Sequence, residues 1–148
     1  FFIYVASIGL VIGLVIGLVI SLVIGLIIGL VIIIDDAIDY SSNQKILGKN
    51  IGDDFKEGKI TLPIILAYGR SNNKEKEFWK RTISNLTQEK GDFDQALEII
   101  NKYQCIEDTI TRANHFSNGA VESIDIFKNN QFKEKLVSLV STSISRIY

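Results

Sequence analysis

Residues 1–34 carry no charged side chain, although the 148-residue chain holds 16 Lys and Arg and 17 Asp and Glu. A stretch that cannot solvate itself must be covered by protein or by lipid, and this requirement bounds what the chain can fold into. From Gly9 the stretch is close to a tandem tetrapeptide, GLVI-GLVI-GLVI-SLVI-GLII-GLVI. As a helix, residues 1–34 would run about 50 Å, longer than the ~30 Å hydrocarbon core of a bilayer. Val and Ile favour strands and glycine weakens helices. A strand of this length would nevertheless be far outside the usual range, and in a membrane only a helix satisfies its own backbone. A helix is therefore expected, continuous with the residues that follow. Gly9, Gly13, Gly17, Ser21, Gly25 and Gly29 form a small-xxx-small stripe, which at a strict period of four winds about 40° per repeat round the helix. Three readings compete: a membrane helix, a signal peptide that lacks a basic leader, and an expanded short repeat.

The apolar run ends in Ile34-Asp-Asp-Ala-Ile-Asp-Tyr40. On a helix Asp35 and Asp39 stack on one face, and Asp36 lies about 100° round from Asp35. Three carboxylates within one turn repel unless a cation stands among them, and carboxylate oxygens with room for water and phosphate suit Mg²⁺. The bland alternative is an acidic helix end before a loop. The loop that follows bears Gly48, Gly52 and Gly58 with Lys49, Lys56 and Lys59. An acidic metal site facing a glycine-rich, lysine-bearing loop is the arrangement a diphosphate needs.

The segment from Asp35 to Tyr68 resembles the second aspartate-rich motif of the trans-polyprenyl diphosphate synthases and their G-K-x-x-G-x-D-x-x-E-G-K-x-T-L-P signature. Gly48, Lys49, Gly52, Asp54, Glu57, Gly58, Lys59, Thr61, Leu62 and Pro63 stand at its fixed positions. The long-chain, octaprenyl-type branch looks nearest, and the resemblance covers the family's C-terminal part. It implies an all-α fold, the C-terminal portion of an isoprenoid-synthase-type helical bundle over residues 35–148, preceded by the long apolar helix of residues 1–34. It also implies a prenyltransferase that condenses isopentenyl diphosphate with an allylic diphosphate, uses Mg²⁺ and is usually homodimeric. On that reading Asp35, Asp36 and Asp39 bind the metal, with Asp35 and Asp39 as direct ligands. Lys49 and Lys59 contact the allylic diphosphate, and Asp54 supports either the groups around the metal ligands or the lysines. The family's Phe-Gln ahead of the acidic pair is replaced by Val31 and Ile32, and residues 1–34 hold nothing that could serve as the first aspartate-rich motif. Half an active site, from a truncated and inactive synthase, is the expectation. The alternatives are a catalytically dead membrane-anchored helical protein and a regulatory synthase subunit.

The rest of the composition agrees. A net charge of −1 and no basic run give no reason to expect nucleic acid. The single cysteine, Cys105, fits a reducing cytoplasmic setting, with membrane association through the apolar segment. After the loop, Thr61 reads as an N-cap with Pro63 in the first turn. Leu62, Ile65, Leu66 and Gly69 share one face of the helix that follows. Asn72 or Asn73 opens the next helix, with Phe78, Ile83 and Leu86 in the core. Asp92 reads as an N-cap, Cys105 to Phe127 as a long helix, and Phe132, Leu136, Leu139, Val140, Ile144 and Ile147 as the stripe of the last. Trp79 reads as half-buried, and His115 and Cys105 as non-catalytic.

Overall fold

The computed structural model describes residues 2–41 and 51–146, with side chains described from Gly9 onward. All regular structure among these residues is helical. One helix, α1 (Phe2–Asp39), carries the repeat through to the acidic end, so the expected continuity is observed. There follow α2 (Asp53–Lys56), α3 (Leu62–Arg70), α4 (Asn73–Trp79), a π-helical turn at Lys80–Ser84, α5 (Asp92–Lys102), α6 (Cys105–Ile124) and α7 (Gln131–Ser145). The glycines and polar residues from Tyr40 to Lys59 point to loop, but α2 forms a single helical turn within that stretch.

The repeat makes nearly every position of α1 apolar, so its pattern selects no face and the partners select it. Val23, Ile27, Leu30, Ile34 and Ile38 recur at three- and four-residue spacing and are buried against Ala113, Ala120 and Ile124 of α6 and Val140 of α7. Alanines on α6 let the two helices approach closely. Gly29 is the described glycine of the stripe that meets a neighbour closely, since a Cβ there would lie 2.9 Å from Cε1 of Phe116. Around Gly9, Gly13, Gly17 and Gly25 a Cβ would meet nothing within 4 Å, so that part of the stripe is not a packing seam. Over the same stretch Leu10, Leu14, Leu18 and Leu22 are exposed.

A second core gathers α2 to α5 around the start of α6. Tyr40, Phe55, Ile64, Ala67, Phe78, Trp79, Ile83, Ile99, Ile100 and Cys105 pack together. Asn72 caps α4 with a capping box: its side chain accepts from the Glu75 N–H, and the Glu75 carboxylate accepts from the Asn72 N–H. Trp79 is fully buried rather than half-buried, and its indole N–H donates to Ser71 Oγ at 3.1 Å.

Several expected faces turn out differently. α3 buries Pro63, Ile64 and Ala67, with Ile64 and Ala67 packed in the second core, and leaves Ile65 exposed, while Asp36 holds the N–H of its first residue, Leu62. Leu86 sits at φ +52° in the turn after the π-helix and points outward, so it is not a core residue. Gly91, at φ +96°, is the N-cap of α5, and Asp92 lies one position inside the helix. The Asp92 carboxylate instead takes both guanidinium nitrogens of Arg81 at 2.8 Å and the Glu89 N–H at 2.7 Å. That guanidinium, above all, holds Asp92 below the usual carboxylate range. α6 ends at Ile124, short of Phe127. On α7 the inward residues are Val137, Val140, Ser143 and Ile144, whereas Phe132 and Leu139 are exposed and Ile147 lies outside the described residues. An apolar spacing alone did not distinguish the covered from the uncovered side of that helix.

The partner-selected face of α1 gives a direct contrast. Leu30→Ala, at a position with no exposure, should cost about 2–5 kcal/mol. Ile28→Ala, on the open face, should change stability by less than about 0.5 kcal/mol. Urea unfolding of the two variants beside the parent chain measures the difference, and equal losses would contradict this packing.

Candidate active site

Each aspartate at the end of α1 meets a different element. Asp39 is buried, and its Oδ2 accepts from the backbone N–H of Asp54 at 3.1 Å. Its backbone carbonyl accepts from the Gly52 N–H, also at 3.1 Å. Gly52 stands at the N-cap of α2 with φ +79° and no side chain to cap with, so Asp39 supplies the oxygen from another helix. Asp36 does the same for α3. Its Oδ2 accepts from the Leu62 N–H at 3.0 Å, while the Thr61 hydroxyl at the N-cap makes no capping bond. Helix N-termini favour a negative charge, so both contacts are electrostatically sound. Asp35 remains half exposed, with the guanidinium of Arg146, the C-cap of α7, at 3.9 Å.

The glycine-rich loop is folded back on this acidic end. Lys59 Nζ reaches Asp54 Oδ1 and Glu57 Oε2, each at 2.8 Å. These two hydrogen bonds raise the pKa of its ammonium, keeping it charged. Lys56 pairs with Asp53 at 3.0 Å. Gly48 and Lys49 lie outside the described residues. Gly58, at φ +68°, passes beneath Leu86: a Cβ there would lie 2.1 Å from Leu86 Cδ2 and 3.2 Å from the Ile83 carbonyl oxygen. Gln88 ties the loop from the other side, donating to the Phe55 carbonyl at 2.7 Å.

Burial raises the pKa of Asp36 above the ordinary carboxylate value. The Leu62 N–H opposes that shift, and the neighbouring charges of Asp54 and Asp35 add to it. A half-buried carboxylate pressed by two others is a place where a divalent cation would relieve repulsion, and in that sense the residues fit Mg²⁺. Among the described residues, however, no three His, Cys, Asp or Glu side chains converge to hold a metal by themselves. The fit is to an ion held by one or two carboxylates and completed by water and phosphate oxygens, which is how Mg²⁺ is commonly bound. Arg146 beside Asp35 escaped sequence reading, because a lone basic residue near the far end of the chain carries no pairing signal.

A family model described as polyprenyl synthetase matches residues 24–100. The chain belongs to the polyprenyl synthetase family. It is 33% identical over 116 residues to an octaprenyl diphosphate synthase of Haemophilus influenzae, covering 78% of this chain and 35% of that protein. A geranylgeranyl diphosphate synthase of Saccharolobus solfataricus is 30% identical over 110 residues, covering 74% and 33%. Among solved structures, a polyprenyl synthase of Caulobacter crescentus complexed with calcium and isoprenyl diphosphate superposes with a TM-score of 0.71 at 38% identity, covering 82% of this chain and 38% of that one. A heptaprenyl diphosphate synthase of Staphylococcus aureus gives 0.75 at 28% identity, covering 88% and 40%. The chain thus spans about a third of the length of its curated relatives. Its all-α architecture is that of these synthases, and the family match opens inside the apolar repeat.

The close passage at Gly58 should be the loop's most sensitive point. Gly58→Ala combines a left-handed backbone with a clash, and is expected to destabilise the chain by about 1–3 kcal/mol. Thermal unfolding checks this, and an unchanged midpoint would mean that the loop does not pack as described.

Proposed function

We propose that residues 35–148 form the diphosphate- and Mg²⁺-binding part of a polyprenyl diphosphate synthase active site, working on an allylic diphosphate that is extended by isopentenyl diphosphate. The observation that carries this reading is the double capping by Asp36 and Asp39, which fastens the Lys59 loop against the acidic end of α1. Asp35 and Asp36 would hold Mg²⁺, with Asp39 close by and bracing α2. The metal's chemistry would be electrostatic, offsetting charge on the departing diphosphate. Lys59, released from Asp54 and Glu57, and Lys49 would bind diphosphate oxygens. The Caulobacter relative, complexed with calcium and isoprenyl diphosphate, supports this ligand class. Within this chain DDxxD occurs once, so these residues would hold metal through one aspartate-rich motif.

Titration calorimetry with Mg²⁺ and inorganic pyrophosphate tests the reading. The chain should bind, and Asp35→Ala should weaken binding by at least about tenfold, a loss of about 1.4 kcal/mol. No detectable elongation of an allylic diphosphate is expected from the isolated chain. Binding that Asp35→Ala leaves intact would sink the metal assignment.

A second observation favours a membrane contact through residues 1–34. The helix from Gly9 is long and apolar enough to cross a bilayer, and little of its most apolar window is buried. We propose a cytoplasmic protein whose first helix inserts in lipid. Leu14→Asp with Leu18→Asp should abolish co-flotation with phosphatidylcholine vesicles, since a charge at the bilayer centre costs about 2.5–3.5 kcal/mol. Undiminished flotation would refute insertion at this stretch.

A further inference from the structure

Next to the two capping aspartates in the chain and across the Leu62 bond lie two buried hydroxyl groups that the reading above does not use. Tyr40 directly follows α1 and is 3% exposed, and Thr61 precedes α3 and is 5% exposed. The Tyr40 phenol and the Thr61 hydroxyl are neighbours. The two hydroxyls are close enough to interact but fall outside good hydrogen-bonding geometry, and neither has another partner among the described residues. Thr61 stands where a threonine ordinarily caps a helix, but Asp36 has taken the Leu62 N–H. Its hydroxyl is therefore left for another task. Tyr40 directly follows Asp39, and Thr61 directly precedes Leu62, whose N–H Asp36 holds, so both residues adjoin the carboxylates that grip α2 and α3.

Buried hydroxyls are normally satisfied, because leaving one unpaired costs free energy without return. Two together at the base of a candidate active site indicate bonds completed in another state of the site. Such contacts are commonly loose before a ligand arrives and tighten in the complex. We infer that Tyr40 and Thr61 are positioning residues whose hydroxyls close into one hydrogen-bonded unit when Mg²⁺ and a diphosphate load the site, fixing the junction of α1, α2 and α3 that aims Asp36 and Lys59. This inference rests on the diphosphate reading above.

The test uses the 148-residue chain, Mg²⁺ and inorganic pyrophosphate, with Tyr40→Phe, Thr61→Val, the double variant and Thr61→Ser. Without ligand, Tyr40→Phe and Thr61→Val should unfold at the parent's temperature or slightly above it, since each removes an unsatisfied group. With ligand, each should bind about tenfold more weakly. The double variant should lose no more than either single one, as expected of a unit, and Thr61→Ser should bind like the parent. Lower stability of the unliganded single variants would mean that the hydroxyls are already partnered, and would overturn the inference. Unchanged affinity, or additive losses, would overturn it too while leaving the diphosphate site standing. Failure of the parent chain itself to bind would remove both.

Discussion

A carboxylate drawn out of water has to be answered by hydrogen bonds or by opposite charge, and the end of α1 poses this problem repeatedly within one turn. The answer for Asp36 and Asp39 is the backbone N–H of another helix's first turn, Leu62 of α3 and Asp54 of α2. Much of the architecture around the candidate site follows from that. Two helices that lack a side-chain cap of their own are held by the helix that carries the acids. The loop between them is thereby brought back over the acidic end, with Lys59 paired to Asp54 and Glu57.

The same contacts link the two cores. Val23 to Ile38 of α1 belong to the cluster shared with α6 and α7, whereas Tyr40, immediately after α1, belongs to the cluster built from α2 to α6. The acidic turn lies at the boundary between them. Burial there raises the pKa of Asp36, and Asp35 and Asp54 add to the shift. A functional site placed where two packed bodies meet can be rigid in its backbone and still strained in its charges. That combination suits the binding of a cation together with an anion.

The acidic cluster, the glycine-lysine loop and the long first helix were legible in the sequence because each depends on neighbours close in the chain. The Asn72 cap belongs to the same class, with Glu75 three residues on. The faces of α3 and α7 were not legible in the same way. Ile65 and Leu139 have the right spacing for burial and are exposed. The covered face of α3 is chosen by its packing against Phe78, Trp79 and Ile99 and by a hydrogen bond to Asp36, and apolar periodicity contains no trace of either. Asp92 misled for a related reason: its carboxylate faces Arg81, so Gly91 is left as the N-cap.

Sequence by itself determined that the chain is all-helical, that its first helix runs unbroken into DDxxD, and which residue types stand ready for a metal and a diphosphate. Those features follow from local backbone preference, from the absence of charge in residues 1–34 and from fixed spacings. Only the tertiary structure decided which of the nearly equivalent apolar positions of α1 are buried, and which aspartates serve as caps and which remains half exposed. It also decided that the Tyr40 and Thr61 hydroxyls are both buried without a good partner among the described residues. The physical reason is that a repeat apolar on every side, and a turn with three identical side chains, offer several near-degenerate arrangements. What separates them is the shape and the hydrogen-bonding groups of segments distant in sequence, which exist as a surface only once the chain has folded.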